Sequence, residues 1–281
     1  MKFDELRCRV GIFVVTIVAM LVGFHTLLLE HAPATFCDER EDMSFAWYVP
    51  IFSLYVVWVE RKRIAESVGR PSWAGFFAIL PFLFMGFLGV RGIQVRFEIV
   101  AFAGLLATIP WAIFGLETMK RVVFPAGFLL FCIPLATFLD IITVHLRLFA
   151  TGTAFAILKG FGAAVVRAGT MISASDGSFG IDVAAPCSGL RSIFALMALT
   201  AAYAYFNQRT WTKRAILFAL SVPIAVVGNV MRILTICLVG TCASSDFATG
   251  FYHDYSGYIV FIVAILLMIG AGGVLSKVGR K

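Results

Sequence analysis

The sequence predicts an all-α integral membrane protein, and three observations support this. Of the 281 residues, 60% are hydrophobic and only 14% are charged, whereas a soluble domain carries roughly a quarter charged residues. The mean hydropathy is +0.94. Apolar runs suited to transmembrane helices recur at about eight places, without the alternation of a transmembrane β-barrel. The sequence therefore argues against a soluble enzyme, a nucleic-acid binder and a disordered chain.

The predicted spans belong to one polytopic domain over residues 1–281, whose motif-bearing core is 122–275. They are 10–29, 45–60, 73–90, 97–116, 122–139, 189–206, 215–240 and 257–275. The first run resembles a cleaved signal peptide, but it is longer than a signal h-region and follows Asp4 and Glu5. We interpret it as a retained helix.

Loop charges predict that both termini lie in the cytoplasm, because Lys and Arg favour that side. In this orientation most of the 23 Lys and Arg residues fall inside. The inner set is Lys2, Arg7, Arg9, Arg61, Lys62, Arg63, Arg70, Lys120, Arg121, Arg209, Lys213, Arg214, Lys277, Arg280 and Lys281. The eight apolar runs and the loop charges together predict an inner-membrane protein with eight transmembrane helices.

The segment 140–188 is too long for a simple connection between helices. Its first part, through Val166, mixes apolar residues with Asp140, His145, Arg147 and Lys159. This mixture predicts a helix at the outer interface or re-entering the protein. Its second part has turn chemistry at Asp176-Gly177, between short β-favouring stretches. We expect a small extracytoplasmic hairpin that leads to Cys187.

Cys187 directly precedes the sixth predicted helix. A helix N-terminus lowers the pKa of a thiol toward the reactive range, because unpaired amides and the helix dipole favour the thiolate. Ser188, Gly189 and Arg191 flank it, and Arg191 adds positive charge. The alternative is that Cys187 is a small buried hydrophobic residue.

Arg232 lies late in the seventh predicted helix, where it could simply extend toward lipid headgroups. Asn229 is three residues earlier and shares its helical face. A lipid-facing Asn is costly, so the pair favours an inward-facing polar site.

His253 is predicted on a short outer loop before the eighth helix, with Asp254 beside it. An isolated loop His is usually only solvated, but His can also transfer a proton to or from a thiol. The predicted topology places Cys187, Arg232 and His253 on one side of the membrane. A thiol, a fixed cation and a proton carrier together suit acyl transfer.

Three motifs in order resemble the exosortase/archaeosortase family: P-C-S-G-L-R-S before a late helix, G-N-x-x-R-I in the next, and H-D-x-S-G before the last. They lie between about residues 182 and 258, and the first five helices match only as hydrophobic spans. The resemblance implies a membrane cysteine transpeptidase in which Cys187 forms the acyl thioester and Arg232 and His253 complete a triad.

The resemblance also implies substrates with a C-terminal signal: a short motif such as Pro-Glu-Pro, a transmembrane helix and a basic tail. A substrate would be cleaved near the motif and passed to an acceptor (water, a lipid or a glycan). We assign charge stabilisation to Arg232 and proton transfer to His253, because a guanidinium does not give up its proton in proteins.

Other functions remain open at the level of sequence. Asp140, His145, Arg232 and His253 could line a transporter or channel path. A scaffold protein and a membrane acyltransferase are further alternatives. Six cysteines without a C-x-x-C pair give no zinc signal, and no cofactor is implied. A disulfide between Cys37 and Cys242, both on predicted outer loops, is a further hypothesis.

Overall fold

A computed structural model describes residues 3–38, 43–135, 140–177, 179–182, 190–242 and 252–277. Within these ranges, the side chains of Phe3, Asp140, Leu190, Arg191, Cys242, His253 and Asp254 are not described. The chain divides into two compact units, Met1–Leu135 and Ala136–Lys281.

The first unit is entirely helical in its described part. Its helices are α1 (Phe3–Gly23), α2 (Ala32–Cys37), α3 (Tyr48–Glu66), α4 (Trp73–Gly92), α5 (Val95–Phe114) and α6 (Leu116–Phe128). A π-helical turn precedes α2, and 3₁₀ turns precede α3 and follow α6. Helix α1 begins earlier than the predicted 10–29, and acidic Asp4 and Glu5 lie in its first turn, where they complement the helix dipole.

Helices α4 and α5 pack closely because glycines face the contact. A Cβ on Gly75 would lie 2.5 Å from the backbone nitrogen of Ala112, and a Cβ on Gly89 would lie 2.7 Å from Glu98 Cγ. Small residues allow such approach between membrane helices. The fully buried Glu98 carboxylate lies 3.0 Å from His31 Nδ1, so this acidic group is paired inside the unit.

The second unit combines helices with a small sheet. Helix α7 (Asp140–Gly160) leads into strands β1 (Val165–Ala168), β2 (Met171–Ala174) and β3 (Gly180–Asp182), and these are followed by α8 (Leu190–Asn207), α9 (Trp211–Cys242) and α10 (His253–Lys277). The sheet order is β1-β2-β3, antiparallel throughout. The predicted hairpin around Asp176-Gly177 is confirmed as the β2–β3 connection.

The sheet packs on α7 and on the second half of α9. The buried side chains of this core include Ala154 on α7, Ile172 and Phe179 from the sheet region, and Ile233 and Ile236 on α9. Strand β1 was not expected, since residues 163–166 were assigned to the preceding helix. Helix α7 ends at Gly160. Two residues later, Gly162 adopts a φ of +81°, which allows the chain to turn back into strand β1.

Within the described ranges, six helices are long and apolar enough to cross a membrane: Asp4–Gly23, Trp73–Gly92, Val95–Phe114, Ile141–Gly160, Trp211–Thr241 and Tyr255–Lys277. This supports a multi-pass, all-α membrane protein, and the count of eight spans and their orientation stay predictions. Helix α7 meets the criteria for a span, whereas we had expected an interfacial or re-entrant segment there.

The predicted span 122–139 is wrong in its boundaries. Helix α6 begins at Leu116, just after Gly115 with φ of +94°, and ends after 13 residues. Pro125 lies inside it and Pro134 follows, and each removes a backbone donor. The predicted span 45–60 became α3, which ends in a charged stretch from Glu60 to Glu66.

Candidate active site

The second unit contains a cleft whose polar rim is formed by Ser192 on α8 and by Asn229 and Arg232 on α9. Apolar side chains of Leu196, Ala225 and Phe261 lie below the rim. Gly228, Gly257, Val260 and Ala264 complete the lining. Three helices that are separate in sequence therefore meet around Arg232.

Antiparallel packing explains why these residues meet. Ser192 is in the first turn of α8 and Gly257 is in the second turn of α10, and both line the cleft. At the opposite end of the same helices, Gln208 Nε2 donates to the Gly272 carbonyl over 2.9 Å. The beginnings of α8 and α10 therefore lie at one end, together with the second half of α9.

The Arg232 side chain is held by residues of α10. Its Nε donates to Ser256 Oγ over 3.2 Å, and Ser256 is only 1% exposed. A Cβ on Gly257 would lie 3.4 Å from Arg232 Cζ, so the guanidinium rests directly against this glycine. A serine and a glycine in sequence thus fix the position of the cation.

Asn229 lies one turn before Arg232 and also lines the cleft, as the shared helical face predicted. It is 8% exposed. Within the part of the chain that the structure describes, its amide has no hydrogen-bond partner. An amide in this position can bind a group that enters the cleft.

The other predicted site residues are placed only in part. Cys187, Ser188 and Gly189 lie outside the described residues, just ahead of α8. Arg191 and Asp254 belong to α8 and α10, but their side chains are not described. His253 was expected in a loop and is instead the first residue of α10, because the helix begins before its apolar stretch and takes Asp254 into its first turn.

His145 does not join this cleft. It is an exposed residue of α7, and its Nδ1 lies 2.7 Å from the carbonyl of Ile141 on the same helix. Cys37 is a free, exposed thiol, and the side chain of Cys242, its hypothesised disulfide partner, lies outside the described part of the structure. Among the described residues, no group of three or more His, Cys, Asp or Glu side chains could hold a metal ion.

Sequence reasoning assigned no role to Ser256 or Ser192. Ser256 lies inside the H-D-x-S-G motif, three residues after His253. A polar residue at the start of an apolar helix was the sequence feature that could have indicated a role for it. Ser192 ends the motif around Cys187, and only the packing of α8 against α9 shows that it faces Arg232.

The family model for transmembrane exosortases matches residues 37–270 of the chain. No curated protein matches. No solved structure matches either. Since the matched region covers most of the sequence and all three motifs, the chain belongs to the transmembrane exosortase family.

Proposed function

We propose that the protein is a cysteine transpeptidase that processes the C-terminal sorting signals of exported proteins. The observation that carries this proposal is the convergence of the beginnings of α8 and α10 on Arg232. Cys187 precedes α8 by three residues, and His253 is the first residue of α10. The family membership supports the same chemistry.

The depth of Arg232 supports a reaction at the outer face. Helix α9 rises about 1.5 Å per residue, so Arg232 lies about 32 Å along the axis from Trp211. The hydrocarbon core is about 30 Å thick. If Trp211 and the basic residues after it mark the inner surface, Arg232 reaches the opposite boundary, where an exported substrate is available.

In the proposed reaction, the Cys187 thiolate attacks the carbonyl carbon of a peptide bond near the signal motif. The tetrahedral oxyanion is stabilised by the Arg232 guanidinium. The C–N bond then breaks as His253 gives a proton to the leaving amine, which departs with the transmembrane helix and basic tail. The resulting thioester is attacked by an acceptor nucleophile, which loses a proton to His253 and releases the Cys187 thiolate.

The test is a size assay in membranes. The protein is co-expressed with an exported reporter whose C-terminus carries a short motif, an apolar helix and a basic tail taken from a protein of the same cell. We expect the parent to shorten the reporter and Cys187→Ala to leave it intact. Cys8→Ala removes an exposed cysteine of α1 and serves as the matched control.

Equal processing by the parent and Cys187→Ala would contradict the proposal and would favour a transporter or scaffold. If Cys187→Ala is inactive and mass spectrometry finds a lipid rather than a peptide bound to the Cys187 sulfur of the parent, the acyltransferase alternative replaces it.

A further inference from the structure

We propose that the cleft between α8, α9 and α10 is the subsite for the substrate residue next to the bond that Cys187 attacks, and that it admits only a small side chain. This inference rests on the proposed function and adds a substrate feature that the site recognises, namely a small side chain beside the cleaved bond. Three observations carry it: the Asn229 amide that lines the cleft, the size of the cleft and the glycine Gly228 in its wall.

The first observation is the Asn229 amide. The Asn229 residue is 8% exposed and lines the cleft, and its amide makes no hydrogen bond within the described ranges. Because Asn229 lines the cleft, its amide is available to a group that enters it. An amide offers one donor group and one acceptor, which is the complement of a peptide group. The Asn229 side chain is therefore suited to hold the substrate backbone.

The second observation is the size of the cleft. Its cavity volume is about 20 Å³, which is room for about one water molecule or one methyl group. Its floor is apolar, with Leu196, Ala225 and Phe261 below the polar rim. A lipid acyl chain does not fit this volume, whereas the side chain of Ala or Ser does.

The third observation is a glycine in the wall of the cleft, where α10 approaches α9 closely. A Cβ on Gly228 would lie 3.1 Å from Val260 Cγ1, and both residues line the cleft, so α9 and α10 touch at this point of its wall. Gly228 is in the interior of α9, where Ala favours the helix more than Gly does. A Gly228→Ala change therefore adds a methyl group at the wall of the cleft, which presses on the Val260 side chain without a backbone clash.

These facts give separate expectations for stability and for activity. We expect Gly228→Ala to lower the rate of reporter cleavage about 10-fold or more, since one methyl group in a specificity pocket has effects of this order. Its melting temperature in detergent should stay close to that of the parent, because the gain in helix propensity offsets the tight contact with Val260. The double variant Gly228→Ala/Val260→Ala should recover most of the activity, because truncating Val260 restores the space.

The matched control is Gly270→Ala on α10, where a Cβ meets no atom within 4 Å. It should cleave the reporter at the parent rate. Once mass spectrometry has located the cleavage site, the flanking reporter residue can be changed to Leu. The parent should then slow markedly, and Val260→Ala should slow less.

The outcomes separate this inference from the proposed function. If Cys187→Ala is inactive but Gly228→Ala cleaves at the parent rate, the subsite assignment is wrong and the cysteine chemistry stands. If Cys187→Ala remains active, the proposed function itself fails. If Gly228→Ala cleaves normally and changes only the ratio of hydrolysed to transferred product, the cleft binds the acceptor and the subsite assignment is overturned.

Discussion

At the scale of single residues, the cation of the site is positioned by a serine that carries no charge. Arg232 Nε donates to Ser256 Oγ, and the guanidinium rests on Gly257, which has no side chain to displace it. A guanidinium presents its donors in a planar fork, so fixing one of them restricts the direction of the others. Ser256 is therefore a positioning residue for Arg232.

Substitutions at these two positions should differ in severity. Arg232→Lys keeps the positive charge but loses the planar set of guanidinium donors. We expect the cleavage rate to fall by about 10²–10³-fold, as it does when an oxyanion-hole donor is removed. Ser256→Ala removes one hydrogen bond to a charged group, and we expect a fall of about 10-fold. Both are measured as initial rates with the reporter.

Controls for this pair come from the same helix. Ser276→Ala removes a serine whose hydroxyl donates to the Gly273 carbonyl near the other end of α10, and it should leave the rate unchanged. Ser256→Thr keeps a hydroxyl and should retain more activity than Ser256→Ala. Full activity in Ser256→Ala alongside an inactive Arg232→Lys would show that Ser256 does not position the guanidinium.

At the scale of elements, the small sheet anchors the chain that leads to Cys187. Phe179, 2% exposed, lies against Gly240 of α9, where a Cβ would be 2.2 Å from the ring. On the other side, the Arg167 guanidinium donates to the Leu148 carbonyl of α7 and occupies the space beside Gly152. Thr170 Oγ1 also donates to Asp182 Oδ1 over 2.8 Å, which ties the β1–β2 turn to the end of β3.

Gly240→Ala should destabilise this unit, because the buried Phe179 ring has no space into which it can move. Overpacking of this kind typically costs about 1–3 kcal/mol. We expect a lower melting temperature in detergent and reduced reporter cleavage. Phe179→Leu/Gly240→Ala should recover part of the stability, and Gly270→Ala should show no loss. An unchanged melting temperature for Gly240→Ala would mean that the sheet is not held by this contact.

At the scale of the whole molecule, the sequence and the described helices agree on a multi-pass membrane protein. Large apolar side chains such as Ile262, Leu266 and Leu267 on α10 are exposed, which is expected of a lipid-facing surface. The six candidate spans do not by themselves set the orientation. The loop charges still predict that both termini are cytoplasmic.

Reporter fusions test this orientation. A fluorescent protein that matures only in the cytoplasm, fused after Lys281, should fluoresce, and a phosphatase that needs the periplasm should be inactive at the same position. A fusion within the 169–170 turn, between β1 and β2, should give the reverse result. A fluorescent fusion in that turn would place the sheet, and with it the beginning of α8, on the cytoplasmic side.

The sequence by itself determined the membrane class, because hydropathy is summed over each segment and does not depend on neighbours. It also predicted the hairpin at Asp176-Gly177 and the shared face of Asn229 and Arg232, since both follow from local turn and helix geometry. The boundaries of α6 and the start of α10 were predicted wrongly from the apolar pattern. Prolines, glycines and charges at the helix ends determine those boundaries instead.

Only the tertiary structure decided which groups meet in the site. The bond from Arg232 to Ser256 joins residues 24 positions apart, and the cleft brings Ser192 to the same place from a third helix. Such contacts depend on how three helices pack, and a glycine that admits a guanidinium looks the same in sequence as one that faces open space. Gly257 and Gly270 lie on one helix, but Gly257 faces Arg232 of α9, whereas a Cβ on Gly270 would meet no atom within 4 Å.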